Sequence, residues 1–321
     1  MPATDPRAPN APLAHSHSEP TVDDPVAVVE AVVRLHADLA IARDADPHAL
    51  PASPRVADVA YAAARRLGFI EADARCVAQA WTHRCARRAF DPADWPDDPE
   101  DFGWHATGPA FAPCPAKLGL YAVLPDAEWV GRMARAGVPT VQLRFKHTDP
   151  KRIAEEVEAA VRAVAGTPAR LFINDHWRAA IAAGAYGVHL GQEDLDALTP
   201  DDIAQLRASG VRLGISTHGY AEMARALAVG PSYIALGAVF PTTLKAMPTA
   251  PQGPGRLRRY ARAARHLPTV AIGGIGLAEL PAVAASGVGS FAVVRAITGT
   301  PDPEAAAAEL MAAWARLQRT P

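Results

Sequence analysis

LGLYAVLPD (118–126) opens a series of short apolar segments: TVQLRFK (140–146), ARLFINDHW (169–177), YGVHLGQEDL (186–195), RLGISTH (212–218), SYIALGAVFP (232–241), TVAIGGI (269–275) and GSFAVVRAI (289–297). Their apolar runs read as strands at Leu118–Val123, Thr140–Leu143, Arg170–Ile173, Gly187–Leu190, Arg212–Ile215, Tyr233–Leu236, Thr269–Ile272 and Ser290–Val294. Alanine-rich stretches with helical spacing, such as 150–164 and 220–227, lie between most of them. Apolar strands alternating with helices specify an α/β fold with a parallel sheet. Eight such units in about 200 residues specify a closed (β/α)8 TIM barrel. An open doubly wound sheet is the alternative, but no glycine-rich fingerprint follows the first strand.

Outside this region the chain changes character. Residues 1–22 are rich in Pro, Ala, Ser, His and Asp without periodicity, and are expected to be a disordered tail. Residues 23–115 read as a helical extension and linker. Asp24-Pro25 is a helix start, with apolar residues following through Leu39. Ser53-Pro54 repeats that signal before a helix ending near Arg66, and a third helix is expected from Glu71 to Arg88. Residues 90–115 carry Pro, Asp, Gly and Trp without period and read as a linker. This part either forms a small helical domain or packs on the barrel of residues 116–321.

Composition narrows the function classes. The 321 residues are 50% hydrophobic with a net charge of −2, so no basic nucleic-acid surface is indicated. No apolar run approaches the ~18 residues of a membrane span, and the first twenty residues lack a signal-peptide core, so a cytoplasmic protein is expected. Cys76, Cys85 and Cys114 have neither disulfide-scaffold nor zinc-ligand spacing. Small-molecule partners are expected, and a homo-oligomer is compatible with the sequence.

In a barrel of this kind the chemistry sits at the C-terminal strand ends. There the sequence places Gln142, Arg144 and Lys146, which alternation puts on one face, then Asn174-Asp175, Asp194, Ser216-Thr217-His218, Thr242 to Lys245, Gly273-Gly274 and Val294-Arg295. Each has a plain structural reading. Asn174-Asp175 caps a helix, Gly273-Gly274 makes a tight turn, and His189 among apolar neighbours is a packed core histidine. Their joint placement points to chemistry. Asp175 and Asp194 suit one Mg²⁺, which takes few protein oxygens and keeps positions open for phosphate. Arg144, Lys146 and Lys245 supply charge suited to a diphosphate. The turns after strands seven and eight form the usual phosphate site of such barrels. Gln142, Asn174 and Ser216 are suited to reading a polar heterocycle.

From about residue 117 onward the chain resembles the thiamine-phosphate synthase family. The motifs QLRFK, FIND, GVHLGQEDL, LGISTH, ALGAVFPTTLKAMPTAPQG, AIGGI and FAVVRAI occur in the family's order. The resemblance implies a Mg²⁺-assisted transferase. It joins 4-amino-2-methyl-5-(hydroxymethyl)pyrimidine diphosphate to hydroxyethyl-methylthiazole phosphate, giving thiamine phosphate and diphosphate by a dissociative route. It also implies metal ligands at Asp175 and Asp194, and catalytic roles for Arg144, Lys146, Ser216 and Lys245. By position, Gln142, Leu143, Arg144, Phe145, Lys146, Asn174, Ser216 and Lys245 contact the pyrimidine diphosphate. Thr242, Thr243, Leu244, Gly274, Val294 and Arg295 lie at the thiazole phosphate.

Two positions depart from the family pattern. Leu244 stands where a second threonine is usual, and Arg295 where serine is usual. Residues 56–88 faintly resemble the C-terminal helices of a hydroxymethylpyrimidine phosphate kinase. A degenerate kinase remnant and a docking or oligomerisation element are therefore the two readings of the extension. Rival functions are a thiazole tautomerase-like isomerase, a Schiff-base aldolase using Lys146 or Lys245, and a non-catalytic sensor of thiamine intermediates.

Overall fold

The structure, a computed structural model, describes residues 23–41, 49–104, 106, 108–242 and 250–319. The expected disordered tail at 1–22 lies outside them. Among the described residues, eight parallel strands pair in chain order and close into one barrel. They are β1 Gly119–Leu124, β2 Thr140–Leu143, β3 Arg170–Asn174, β4 Gly187–Leu190, β5 Arg212–Thr217, β6 Tyr233–Leu236, β7 Thr269–Ala271 and β8 Ser290–Val293.

Each expected strand is present: β2, β4 and β6 have the expected bounds, and the other five have ends shifted by one or two residues. β5 runs past Ile215 to Thr217 because its backbone keeps pairing with β6, Ser216 opposite Ala235 and Thr217 opposite Leu236, and Thr217 Oγ1 also donates to the Ala235 carbonyl at 3.0 Å. The barrel interior is filled largely by aromatic rings, Tyr121, Phe172 and Tyr233, with Leu118, Ala235, Val270 and Ala292. Two glycines make the room. A Cβ at Gly214 would come within 2.1 Å of Tyr233, and one at Gly187 within 2.4 Å of Phe172. A second apolar layer lies between strands and helices, and it continues without a break into the extension. No helix among the described residues is long and apolar enough to cross a membrane.

The extension packs on the barrel. Its helices are Pro25–Leu35, Val56–Arg66, Glu71–Cys85 and the single turn Pro99–Phe102. They cover the helices that follow β5 and β6, Tyr220–Val229 and Gly253–Ala263. Phe69, Trp81 and Trp95 are fully buried there, and Trp95 Nε1 donates to the Tyr220 hydroxyl at 3.1 Å. Arg256 is 1% exposed. Its guanidinium donates to the Leu39 and Leu67 carbonyls at 2.8 and 2.9 Å and lies 3.6 Å from the Phe69 ring centre.

Three local expectations are corrected. The second helix begins at Val56 rather than Pro54, with the Asp58 carboxylate accepting from Arg55 N at 2.9 Å. The third ends at Cys85 rather than Arg88, where its arginines turn to acidic residues beyond the helix. Arg84 and Arg87 donate to the fully buried Asp101 at 2.5 and 2.6 Å. Residues 90–115 are therefore not a bare linker: this ion-pair network and the buried Trp95, Phe102 and Phe111 fix much of the segment in place.

Asp73 of the third helix reaches the first turn of the helix after β5, accepting from Ala221 N at 2.9 Å. Gly219 permits this approach, since a Cβ there would lie 2.2 Å from the carboxylate. Burial pushes the Asp73 carboxyl up from 3.8 to about 6. Between those values the folded state holds a proton that the unfolded state has lost, so this group's contribution to stability falls as pH rises through the window. The loss is of order 2–3 kcal/mol. Asp73→Asn keeps an acceptor for Ala221 N and removes the titration. The variant is expected to match the wild type near pH 4 and to melt several degrees higher at pH 7.5, as measured by thermal denaturation across pH.

Candidate active site

The C-terminal strand ends surround a cavity of about 370 Å³. β2 supplies Gln142 and, past its end, Arg144 and Lys146. β3 supplies Asn174 and then Asp175. β4 supplies His189, with Asp194 following on the short helix Gln192–Asp196. β5 supplies Ser216 and His218, while Thr242 and Val294 close the other side. Nine expected residues thus converge here from six different strand ends: Gln142, Arg144, Lys146, Asn174, Asp175, Asp194, Ser216, Thr242 and Val294.

The acidic pair is built by backbone turns. Asp175 has φ +63°, a left-handed conformation that aspartate tolerates better than most residues. Its N–H donates to the His189 carbonyl at 3.0 Å, and its own carbonyl accepts from Trp177 N at 2.8 Å. Its carboxylate accepts from Lys146 Nζ at 2.5 Å. The Asp194 carboxylate accepts from Gly191 N at 3.1 Å. Burial raises the Asp194 carboxyl above its ordinary value, and the neighbouring Asp175 raises it further, while Lys146 opposes both. Among the described residues, no cluster of three or more His, Cys, Asp or Glu is grouped to hold a metal.

Beneath the carboxylates, five side chains form one hydrogen-bonded line. Gln142 Nε2 donates to the Tyr121 hydroxyl at 3.0 Å, and the Tyr121 and Tyr233 hydroxyls are 2.8 Å apart. His189 Nδ1 is 2.7 Å from the Tyr233 hydroxyl, and its Nε2 is 2.8 Å from Ser216 Oγ. Burial lowers His189 to about 4, so its ring is neutral at pH 7. His189 is thus buried, as expected, yet it also lines the cavity, as do Tyr121 and Tyr233. Sequence reasoning passed over these three. The available signal was the period of two in β4, which puts His189 on the same inward face as Gly187, and the need of a buried tyrosine hydroxyl for a partner.

Two expected contact residues point elsewhere. Leu143 is buried in the outer apolar layer, and Phe145 packs against that layer, its carbonyl 2.9 Å from His176 Nε2. Neither lines the cavity. His218 does, with Nδ1 2.6 Å from the Glu222 carboxylate.

A second cavity of about 350 Å³ adjoins the first and shares Thr242, Gly273 and Val294 with it. Gly274 and Arg295 line it. Gly274 has φ +68°, and a Cβ there would lie 2.5 Å from the Pro241 carbonyl, so the tight-turn reading of this glycine and its place at the cavity hold together. Thr243, Leu244 and Lys245 lie outside the described residues.

Residues 120–297 match the family model described as thiamine monophosphate synthase, more than half of the chain. The chain belongs to the thiamine monophosphate synthase family. The thiamine-phosphate synthase of Neisseria meningitidis serogroup B is 54% identical over 204 residues, covering 64% of this chain and 98% of that protein. That of Escherichia coli O1:K1 is 53% identical over 203 residues, covering 63% and 95%. Among solved structures, the thiamine phosphate pyrophosphorylase from Pyrococcus furiosus aligns with a TM-score of 0.56 at 28% identity, over 63% of this chain and 98% of that one. Membership of this family makes the chain a transferase-type enzyme and leaves the isomerase reading without support.

The electrostatics of the acidic pair are testable by carboxyl-carbon NMR in metal-free buffer. Asp175→Asn removes the like charge and is expected to lower the Asp194 pKa. Lys146→Met removes the opposing cation and is expected to raise it. Shifts of the same sign in both variants would contradict the charge arrangement described here.

Proposed function

We propose that this chain joins 4-amino-2-methyl-5-(hydroxymethyl)pyrimidine diphosphate to hydroxyethyl-methylthiazole phosphate, releasing diphosphate. The observation that carries the reading is the pair of adjoining cavities at one mouth. One is lined by Asp175 and Asp194 together with Arg144 and Lys146, and the other by Gly274 and Arg295. Two separately phosphorylated substrates therefore have separate anion sites with a shared wall between them.

In the reaction, the bond from the pyrimidine methylene carbon to diphosphate oxygen breaks, and the thiazole nitrogen then bonds to that carbon. Arg144 and Lys146 hold the diphosphate and offset the charge it gains on leaving, with Lys245 in the same role. Asn174, Gln142 and Ser216 orient the pyrimidine ring. Thr242, Thr243, Gly274, Val294 and Arg295 hold the thiazole phosphate. Asp175 and Asp194 fit Mg²⁺, because two mutually repelling carboxylates beside an anion site match its preference for one or two carboxylates plus phosphate oxygens. Bound there, the ion supplies positive charge to the leaving group. The soluble, phosphorylated substrates suit a cytoplasmic location.

A single assay tests this. Full-length protein with both substrates and Mg²⁺ is expected to release thiamine phosphate and diphosphate in equal amounts. Chelation and Asp175→Ala are each expected to lower the rate at least about a hundredfold, the scale of losing a transition-state electrostatic group. Binding of both substrates without product would overturn the reading in favour of a sensor. Arg295 adds a charge-assisted contact at the second anion site. Arg295→Ser is therefore expected to raise KM for the thiazole phosphate about tenfold while leaving KM for the pyrimidine diphosphate unchanged.

A further inference from the structure

The line Gln142–Tyr121–Tyr233–His189–Ser216 crosses the cavity floor from β2 to β5, every link between 2.7 and 3.0 Å. Tyr121 and Tyr233 are 2% and 0% exposed, so water does not compete for their hydroxyls. Each hydroxyl and the neutral imidazole has one hydrogen to give along the line. Two complete arrangements follow. In one, Gln142 Nε2 donates to Tyr121, Tyr121 to Tyr233, Tyr233 to His189 Nδ1, and His189 Nε2 to Ser216 Oγ. In the other, every bond reverses and Gln142 turns its amide over. Any mixed arrangement either sets two hydrogens or two lone pairs against each other or leaves a buried tyrosine hydrogen without an acceptor, and each is costly in a buried site.

The structure has Gln142 Nε2 on Tyr121, which selects the first arrangement. Ser216 then keeps its hydroxyl hydrogen to donate into the cavity, and the Gln142 carbonyl oxygen is left as an acceptor. We infer that Tyr121, Tyr233 and His189 are positioning residues that lock Ser216 as donor and Gln142 as acceptor, so that the floor selects an amino-substituted pyrimidine over its oxo counterpart. The inference rests on the synthase reading above. Replacing a ring amino group by an oxo group exchanges a donor for an acceptor and turns the adjacent ring nitrogen from acceptor to donor. The oxo ring therefore presents the reverse pattern, which the locked line does not match.

The test measures kcat and KM for the 4-amino and 4-oxo pyrimidine diphosphates with wild type, Tyr121→Phe, Tyr233→Phe and the double variant. Each loses one hydroxyl and no ring volume. The expected result is a fall of about tenfold in kcat/KM for the amino substrate in each single variant, the scale of one directional hydrogen bond. The double variant is expected to fall no further than about twofold below either single one, because the line is already cut. Discrimination against the oxo substrate should drop in all three. Losses that multiply, or unchanged discrimination in an active variant, would overturn the inference while leaving the synthase reading intact. A wild type that turns over neither substrate would overturn both. If Tyr233→Phe fails to fold, Tyr121→Phe cuts the same line one link away and decides the matter alone.

Discussion

Closing eight parallel strands into one barrel forces all their C-terminal ends to a common mouth, and nearly every feature of this molecule depends on that closure. Gln142 and Ser216 are 74 positions apart in the chain, yet they line one cavity because β2 and β5 end on the same side. The same closure fixes what can fill the interior. Phe172 and Tyr233 fit only because Gly187 and Gly214 leave their neighbouring positions bare. Once tyrosines fill the interior, their hydroxyls need partners, and those partners are side chains of the cavity floor. Packing and site are thus made by the same residues, and neither can be altered alone.

The extension is tied to the barrel by a contact that discriminates strongly between right and wrong docking. Burying a guanidinium is unfavourable by several kcal/mol unless its donors are met. Arg256 meets the carbonyl of Leu39, at the end of a short 3-10 turn, and that of Leu67, at the C-cap of the helix Val56–Arg66. Both are helix ends, where carbonyls lack intrahelical partners and carry partial negative charge, which favours a cation; the Leu67 carbonyl also accepts from Ile41 N at 3.1 Å. Gln252 accepts another donor of the guanidinium at 3.0 Å, and its own N–H donates to the carbonyl of Ala238 at 2.8 Å, beside the cavity. A misplaced extension would leave that charge buried and unmet. The geometry therefore selects one docking pose and links it to the loop after β6.

Much of this was legible in the chain. The period of short apolar runs located all eight strands, because strands covered on both faces must be apolar throughout. Asp175, Asp194, Arg144 and Lys146 were legible because charged residues directly after apolar strands have few structural reasons to be there. The packing of the extension was not legible. It depends on Arg256 and Trp95 finding partners 189 and 125 positions away, and local pattern holds no record of such pairings. The end of the third helix was misjudged for a related reason, since Arg84 and Arg87 take partners beyond the helix that no propensity reports. Tyr121, Tyr233 and His189 were hidden among apolar neighbours, and only their hydrogen bonds set them apart from ordinary core.

Charge in the cavity is sorted by depth. Burial acts on the floor in one direction whatever the residue type: it raises the tyrosine pKa values and lowers that of His189, and both shifts favour the neutral form. At the rim, Lys146 is more than half exposed and Asp175 about one-fifth, and the two side chains pair at 2.5 Å. A ligand with a phosphorylated end and an uncharged heterocyclic end meets this gradient in one orientation. Its anion stays at the rim, where screening is strong and cations are present. Its ring enters the neutral floor, where hydrogen-bond direction replaces charge as the means of recognition. Reversing the ligand would bury a phosphate against tyrosine hydroxyls and strand a ring among charged side chains, so the depth profile alone fixes which end enters first.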